Sequence, residues 1–190
     1  DRHMSVDPGA LATWANAITA GRLVFSPVMF LVIPDDPGGS WLAYGLWFVL
    51  CVSDGVDGWI ARRHGTTTSG AFLDPLADKV LVLGAMFTLV ARDVFWLLPV
   101  ALIAGREVVI SVYRILVGSR GVSVPASKIA KYKTVFQQLA VGVALWPWFA
   151  VDHRWLWNSL LWIAVALALI SGWTYLMAGR SVSDRTAASQ

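Results

Sequence analysis

Apolar residues run through this chain in six long blocks, at about 16–34, 41–62, 70–91, 94–117, 127–150 and 155–178. At 1.5 Å per residue, each suits a helix crossing a hydrocarbon layer of ~30 Å. The polar breaks between blocks have the chemistry of turns. Pro34-Asp35-Asp36-Pro37-Gly38-Gly39 separates the first two blocks. Gly65-Thr66-Thr67-Thr68-Ser69-Gly70 separates the next pair, and Gly118-Ser119-Arg120-Gly121 with Pro125 punctuates the fourth connection. Ahead of the first block, Ser5 to Trp14 suits a short N-terminal interfacial helix. The pattern predicts an all-α integral membrane protein built as a six-transmembrane-helix bundle.

Composition agrees. The 190 residues are 57% hydrophobic and 14% charged, with a mean hydropathy of +0.62. A soluble domain carries about 25% charged residues. The net charge of +3 matters less than its placement, and no nucleic-acid partner is expected. Arg2, Arg22, Arg62, Arg63, Arg120, Lys128, Lys131, Lys133, Arg180 and Arg185 fall near one side of the predicted bundle, against Arg92 and Arg154 near the other. Basic residues collect on the cytoplasmic side, so both termini and the 62–70 and 118–128 loops are expected there, in the cell membrane. Trp41, Trp96, Trp146, Trp148, Trp155 and Trp157 are expected as an outer interfacial belt. Cys51, the single cysteine, is expected to pack. Asp1-Arg2-His3 before Met4 reads as a cloning remnant. Residues 4–180 form one transmembrane catalytic domain in this reading, and 181–190 a cytoplasmic tail. No cleavable signal peptide is evident, and the first apolar block is expected to stay as a helix.

Four acids sit where a membrane protein tolerates them least: Asp54 and Asp57 in the second block, Asp74 and Asp78 in the third. An aspartate at mid-helix costs about 2.5–3.5 kcal/mol, so four cost roughly 10–14 kcal/mol unless neutralised. Spacings of three and four put each pair on one helix face. Asp54 and Asp78 each lie eight residues from Arg62 and Gly70 respectively, about 12 Å into the bundle. The hairpin can bring all four to one point in a cytoplasm-facing polar cavity. All-oxygen ligands select hard cations such as Mg²⁺ or Mn²⁺, and two such ions in one carboxylate cluster suit displacement at phosphorus. The alternatives are pairing with Arg62, Lys79 or Arg106 to hold helices together, or a divalent-cation transport path.

Here the chain resembles the CDP-alcohol phosphotransferase family, whose pattern is D-x2-D-G-x2-A-R-x8-G-x3-D-x3-D. Asp54, Asp57, Gly58, Ala61, Arg62, Gly70, Asp74 and Asp78 match it, with seven residues instead of eight between Arg62 and Gly70. The resemblance implies six transmembrane helices, a homodimer, two divalent ions and a CDP-linked lipid donor that loses CMP. It implies Asp54, Asp57 and Asp74 as metal ligands, with Asp78 completing the site as general base. It implies contacts to the CDP moiety from Asp54, Asp57, Gly58, Arg62, Thr68 and Gly70. Asn16 and Thr19, in an N-x-x-T-x-x-R segment ending at Arg22, would flank the nucleotide.

The acceptor is read from cations further on. Arg106 and Arg114 are eight apart in the fourth block, and Lys128, Lys131 and Lys133 open the fifth. Such a group suits a phosphate-bearing acceptor. Arg106, Arg114, Lys128 and Lys131 are assigned to its phosphate. The alternatives are a solvated flank for the lysines, Lys133 above all, and a salt bridge from Arg106 to the aspartates or Glu107. Arg106-Glu107-Val108, Arg114 and the run Lys131-Tyr132-Lys133-Thr134-Val135-Phe136-Gln137 resemble the phosphatidylglycerophosphate-forming branch of the family, with Ala130 where glycine is common. That likeness implies CDP-diacylglycerol and glycerol 3-phosphate as substrates, with membrane lipids as further partners. An inositol phosphate or phosphatidylglycerol is the alternative acceptor.

Overall fold

A computed structural model describes the backbone of residues 8–64, 68–118 and 128–188, and within them the side chains of residue 17 and of 19–53, 55, 76–118 and 129–178. Every regular element among the described residues is an α-helix: α1 Pro8–Val32, α2 Trp41–His64, α3 Thr68–Ala91, α4 Leu97–Gly118, α5 Lys128–Leu145, α6 Pro147–Ala150 and α7 Arg154–Ala188.

Three boundaries differ from the sequence pattern. The expected interfacial helix is, from Pro8 onward, the opening of α1 itself. Proline suits a first helical turn, where its missing N–H has no partner to lose, and nothing near Trp14 interrupts the ladder. The block expected at 127–150 is two helices. Pro147 disfavours α geometry in the residue before it, and Trp146 is extended at φ −77° and ψ 114°. At the other end of the chain, α7 runs on past residue 178 to Ala188.

Three contacts set the ends of the helices. The Ser40 N–H donates to the Leu145 carbonyl at 3.0 Å. Trp41 meets Trp148 edge to face, with centroids 5.3 Å apart, and Arg92 pairs with Asp35. The α1–α2, α3–α4 and α5–α7 connections therefore share one end of an up-and-down bundle. The last residues of α2 and α4 and the first residues of α3 and α5 lie at the other. At the first end, α3 stops in a Schellman motif. Asp93 takes the left-handed position at φ 55°, while the N–H groups of Asp93 and Val94 return to the carbonyls of Val90 and Leu89.

The inward faces repeat at helical spacing. They run Thr19, Arg22, Ser26 and Met29 on α1; Val100, Ile103, Glu107 and Ile110 on α4; Lys133, Gln137, Ala140 and Ala144 on α5; and Trp157, Leu161, Ala164, Ala168, Ser171 and Tyr175 on α7. On α3, Ala77, Leu81, Ala85 and Leu89 are buried, and Asp78 is partly buried. The inward stripes of α1, α5 and α7 are polar toward the α2–α3 end and apolar toward the other. The bundle thus has a dry half and a polar half.

Trp157 departs from the expected belt. It is buried in the core and donates to the Ala150 carbonyl at 3.2 Å, whereas Trp41, Trp96, Trp148 and Trp155 are exposed. Cys51 packs, partly buried, against the core. Among the described residues, Arg154–Ala178 is the one stretch long and apolar enough to cross a membrane, and Thr19–Val32 and Trp41–Ser53 are shorter apolar helices.

Gly39 is required where α2 meets the end of α5. Its φ is +70°, and an added Cβ would lie 2.5 Å from the Leu145 oxygen. Gly39→Ala is expected to cost more than the ~1–2 kcal/mol of left-handed strain alone, read as a lower Tm in detergent. An unchanged Tm would contradict this account of the turn.

Candidate active site

The four aspartates lie on α2 and α3, Asp54 and Asp57 on the first and Asp74 and Asp78 on the second. Three residues separate His64, the last of α2, from Thr68, the first of α3. Four Cα steps of 3.8 Å reach at most ~15 Å, so these helix ends are neighbours. Asp54 lies ten residues before His64 and Asp78 ten after Thr68, so both sit ~15 Å along their helices from that end. Asp57 and Asp74 lie seven and six residues in. On antiparallel helices the four form two nearly level pairs. Their donors are carboxylate oxygens only, the chemistry that suits a hard divalent ion. The side chains of Asp54, Asp57 and Asp74 lie outside the described residues, as do those of Asn16, Arg62, Thr68 and Lys128. So do the surroundings of Gly58 and Gly70. Thr19 and Arg22 are buried on the inward stripe of α1, and α1 packs on both α2 and α3.

Asp78 faces a cavity of about 150 Å³ in the polar half of the bundle. Its wall takes Lys79 from α3, Arg106, Glu107, Ser111 and Arg114 from α4, Lys133, Thr134 and Gln137 from α5, and Ser171 and Tyr175 from α7. Two of the sequence-assigned acceptor residues, Arg106 and Arg114, thus meet the assigned base at one cavity.

Glu107 organises the cations. It is 6% exposed. Its Oε1 accepts from Lys133 Nζ and from Arg106 Nη1 at 2.9 Å, and Lys79 Nζ lies 3.7 Å from its Oε2. Lys79 also donates to Ser111 Oγ, which itself donates to the Glu107 carbonyl at 2.6 Å. Arg106 reaches onward to α7, where Nε donates to the Ala168 carbonyl at 3.1 Å and Nη2 to Ser171 Oγ at 2.9 Å. Gly172 admits this crossing, since a Cβ there would stand 3.3 Å from Arg106 Cγ. Each Nη keeps a second N–H for a ligand. The salt bridge weighed for Arg106 is therefore real, and it coexists with a place in the cavity wall.

The lysines of α5 divide by helix face. Lys133 is 7% exposed and lies on the buried stripe, so a solvated flank does not describe it. Lys131 is exposed and is not part of the cavity wall. Two residues turn an α-helix by about 200°, so the two lysines point apart. Arg114 places its guanidinium 5.5 Å from the centre of the Tyr175 ring, a cation–π contact. Tyr113 closes on the same ring at 6.1 Å.

Sequence reasoning assigned no site role to Glu107, Lys133, Gln137, Ser171 or Tyr175. The signal was present in the periodicity: Lys133 and Gln137 fall in step with Ala140 and Ala144, which marks the buried face of α5. Glu107 is an acid within an apolar helix and meets the same criterion as the aspartates.

The cavity wall carries four cationic side chains, Lys79, Arg106, Arg114 and Lys133, against two carboxylates, Asp78 and Glu107. The positive excess of two formal charges matches a phosphate monoester, which carries about −1.5 to −2 at neutral pH.

Comparison with known proteins points the same way. The family model for CDP-alcohol phosphatidyltransferase matches residues 12–170. A Bacillus subtilis protein named CDP-diacylglycerol–glycerol-3-phosphate 3-phosphatidyltransferase is 33% identical, over 84% of this chain and 91% of its own. A Rickettsia typhi protein of the same name is 33% identical, over 86% of this chain and 94% of its own. A Mycobacterium tuberculosis protein named "Probable phosphatidylglycerophosphate synthase" is 38% identical, over 72% of this chain and 68% of its own.

Removing the carboxylate at the centre of this network strands buried cations. Glu107→Leu is expected to cost about 3–5 kcal/mol, measured by unfolding in detergent. Adding Lys133→Leu is expected to recover part of that loss, because an apolar pair leaves less charge uncompensated. A double variant no more stable than the single one would show that the two side chains are not coupled.

Proposed function

We infer the reaction from the premise that this chain belongs to the CDP-alcohol phosphatidyltransferase family. It is a phospholipid-synthesis enzyme that transfers the phosphatidyl group of CDP-diacylglycerol to sn-glycerol 3-phosphate, giving phosphatidylglycerol phosphate and CMP. The observation that carries the acceptor is the cavity in which Asp78 meets a net positive wall. A phosphate monoester balances that wall. The single charge of a phosphodiester such as phosphatidylglycerol leaves part of it uncompensated.

Asp54, Asp57, Asp74 and Asp78 would hold two divalent ions, Mg²⁺ or Mn²⁺, whose chemistry when bound is to take up negative charge on the pyrophosphate and on departing CMP. Asn16, Thr19, Gly58, Arg62, Thr68 and Gly70 would line the CDP pocket beside them. Arg106, Arg114 and Lys133 hold the acceptor phosphate, while Lys128 and Lys131, in the first turn of α5, draw the anion toward the mouth. So held, the C1 hydroxyl lies within reach of Asp78, and fixing it there supplies much of the rate. Asp78 accepts the hydroxyl proton. The freed oxygen bonds to the phosphorus that carries diacylglycerol, and the bond from that phosphorus to CMP breaks.

The same reading includes six membrane spans, a homodimer, and termini and cavity mouth on the cytoplasmic side. Outward apolar side chains on every long helix support the spans: Phe25 and Leu31 on α1, Phe48 and Val49 on α2, Phe87 on α3, Val109 and Ile115 on α4, Leu139 on α5, and Ile170 and Trp173 on α7. Apolar surface this continuous needs a lipid or protein partner.

Purified protein with Mg²⁺ is expected to move label from glycerol 3-phosphate into lipid with release of CMP, and EDTA to stop it until Mg²⁺ is restored. Asp78→Asn is expected to abolish transfer. Retained activity in that variant would remove Asp78 as the base, and consumption of an inositol phosphate instead would reassign the acceptor.

Arg114 lies outside the Glu107 ion network, so it tests phosphate binding without stranding a charge. Arg114→Met is expected to raise the KM for glycerol 3-phosphate roughly ten- to a hundredfold, the worth of a charged hydrogen bond, with a smaller change in kcat. Lys131→Met is expected to stay within about threefold of the parent, as for an exposed charge. The reverse order would return the phosphate contact to Lys131.

A further inference from the structure

Gln137 is the unexplained member of the cavity wall. It is 3% exposed, and its Nε2 is buried without a hydrogen-bond partner among the described residues. A buried amide left unsatisfied is costly and marks a place where a partner is absent from the protein itself. Gln137 lies one turn beyond Lys133 on the inward face of α5 and borders the same cavity as Asp78 and Arg106. The apolar stripe of α5 begins immediately beyond it, at Ala140 and Val141. The amide therefore sits where the polar half of the bundle gives way to the dry half.

We propose that Gln137 is a specificity residue, whose carboxamide hydrogen-bonds the C2 hydroxyl of the acceptor and so selects a polyol phosphate over a simple hydroxyalkyl phosphate. The proposal rests on the glycerol 3-phosphate reading above. Of the acceptor's polar groups, the phosphate has Arg106, Arg114 and Lys133, and the attacking C1 hydroxyl has Asp78. The C2 hydroxyl is the remaining group, and it is neutral. A neutral amide adds little to a phosphate already faced by cations, but it suits a hydroxyl, as donor through nitrogen or acceptor through oxygen. A site built around such a bond penalises an acceptor that lacks the hydroxyl, because the buried amide then stays unpaired.

The test compares glycerol 3-phosphate with 3-hydroxypropyl phosphate, which keeps the attacking hydroxyl and the phosphate but lacks the C2 hydroxyl. The parent enzyme is expected to prefer glycerol 3-phosphate by at least roughly tenfold in kcat/KM. Gln137→Met, close in shape and without the amide, is expected to bring the two acceptors within about threefold by lowering kcat/KM for glycerol 3-phosphate alone. Gln137→Asn, which keeps a shortened amide, is expected to fall between. Equal use of both acceptors by the parent enzyme overturns the proposal without any variant, and so does an undiminished preference in a folded Gln137→Met protein. If the parent enzyme uses neither acceptor while CMP is released with another alcohol, the glycerol 3-phosphate reading itself fails, which is a separable result.

Discussion

One buried carboxylate holds the polar half of this bundle together. Glu107 accepts from Lys133 on α5 and Arg106 on its own helix, and faces Lys79 on α3. Arg106 carries the connection to the Ala168 carbonyl and Ser171 on α7. Four helices thus meet through one ion network at the wall of the polar cavity. Charges of this kind are costly to bury singly and tolerable only as a satisfied set. The network ties the rotation of α4 to that of α5 and sets their cations around the cavity.

That placement sets the charge the site can receive. Glu107 offsets part of the wall, Asp78 another part, and an excess suited to a phosphate monoester is left. The dry half supplies the rigidity against which this works. Leu81, Met86, Leu89, Ile103, Leu145 and Leu161 are fully buried in its core, and α5 and α7 pack against each other along it. The polar and apolar halves lie one after the other along the same inward stripes, so the core that positions the site and the residues that form it are parts of the same helices. An error in helix rotation that misplaced Lys133 would also misplace Ala140.

Much was legible in the sequence. The six apolar blocks became helices, the fifth divided into α5 and α6, because length and composition act locally. The aspartate spacing put Asp54 level with Asp78, and Asp57 nearly level with Asp74, on two helices joined by three residues. The turn at residues 34–39 and the stop near Arg92 were also readable from glycine, proline and charge. The break at Trp146 was missed although its cause is local, since Pro147 acts on the residue before it. Trp157 was misassigned because an indole near a helix end suits either a membrane interface or a core.

The sequence by itself determined the helices and the level of the carboxylates along them, because spacing along one helix is set by its 1.5 Å rise and 100° turn. Only the tertiary structure decided that Lys133 turns inward while Lys131 stays outside, that Glu107 is the counter-charge, and that Gln137 reaches the cavity. Those outcomes depend on how each helix is rotated against its neighbours. That rotation is set by packing across the bundle, between residues as far apart in the chain as Arg106 and Ser171.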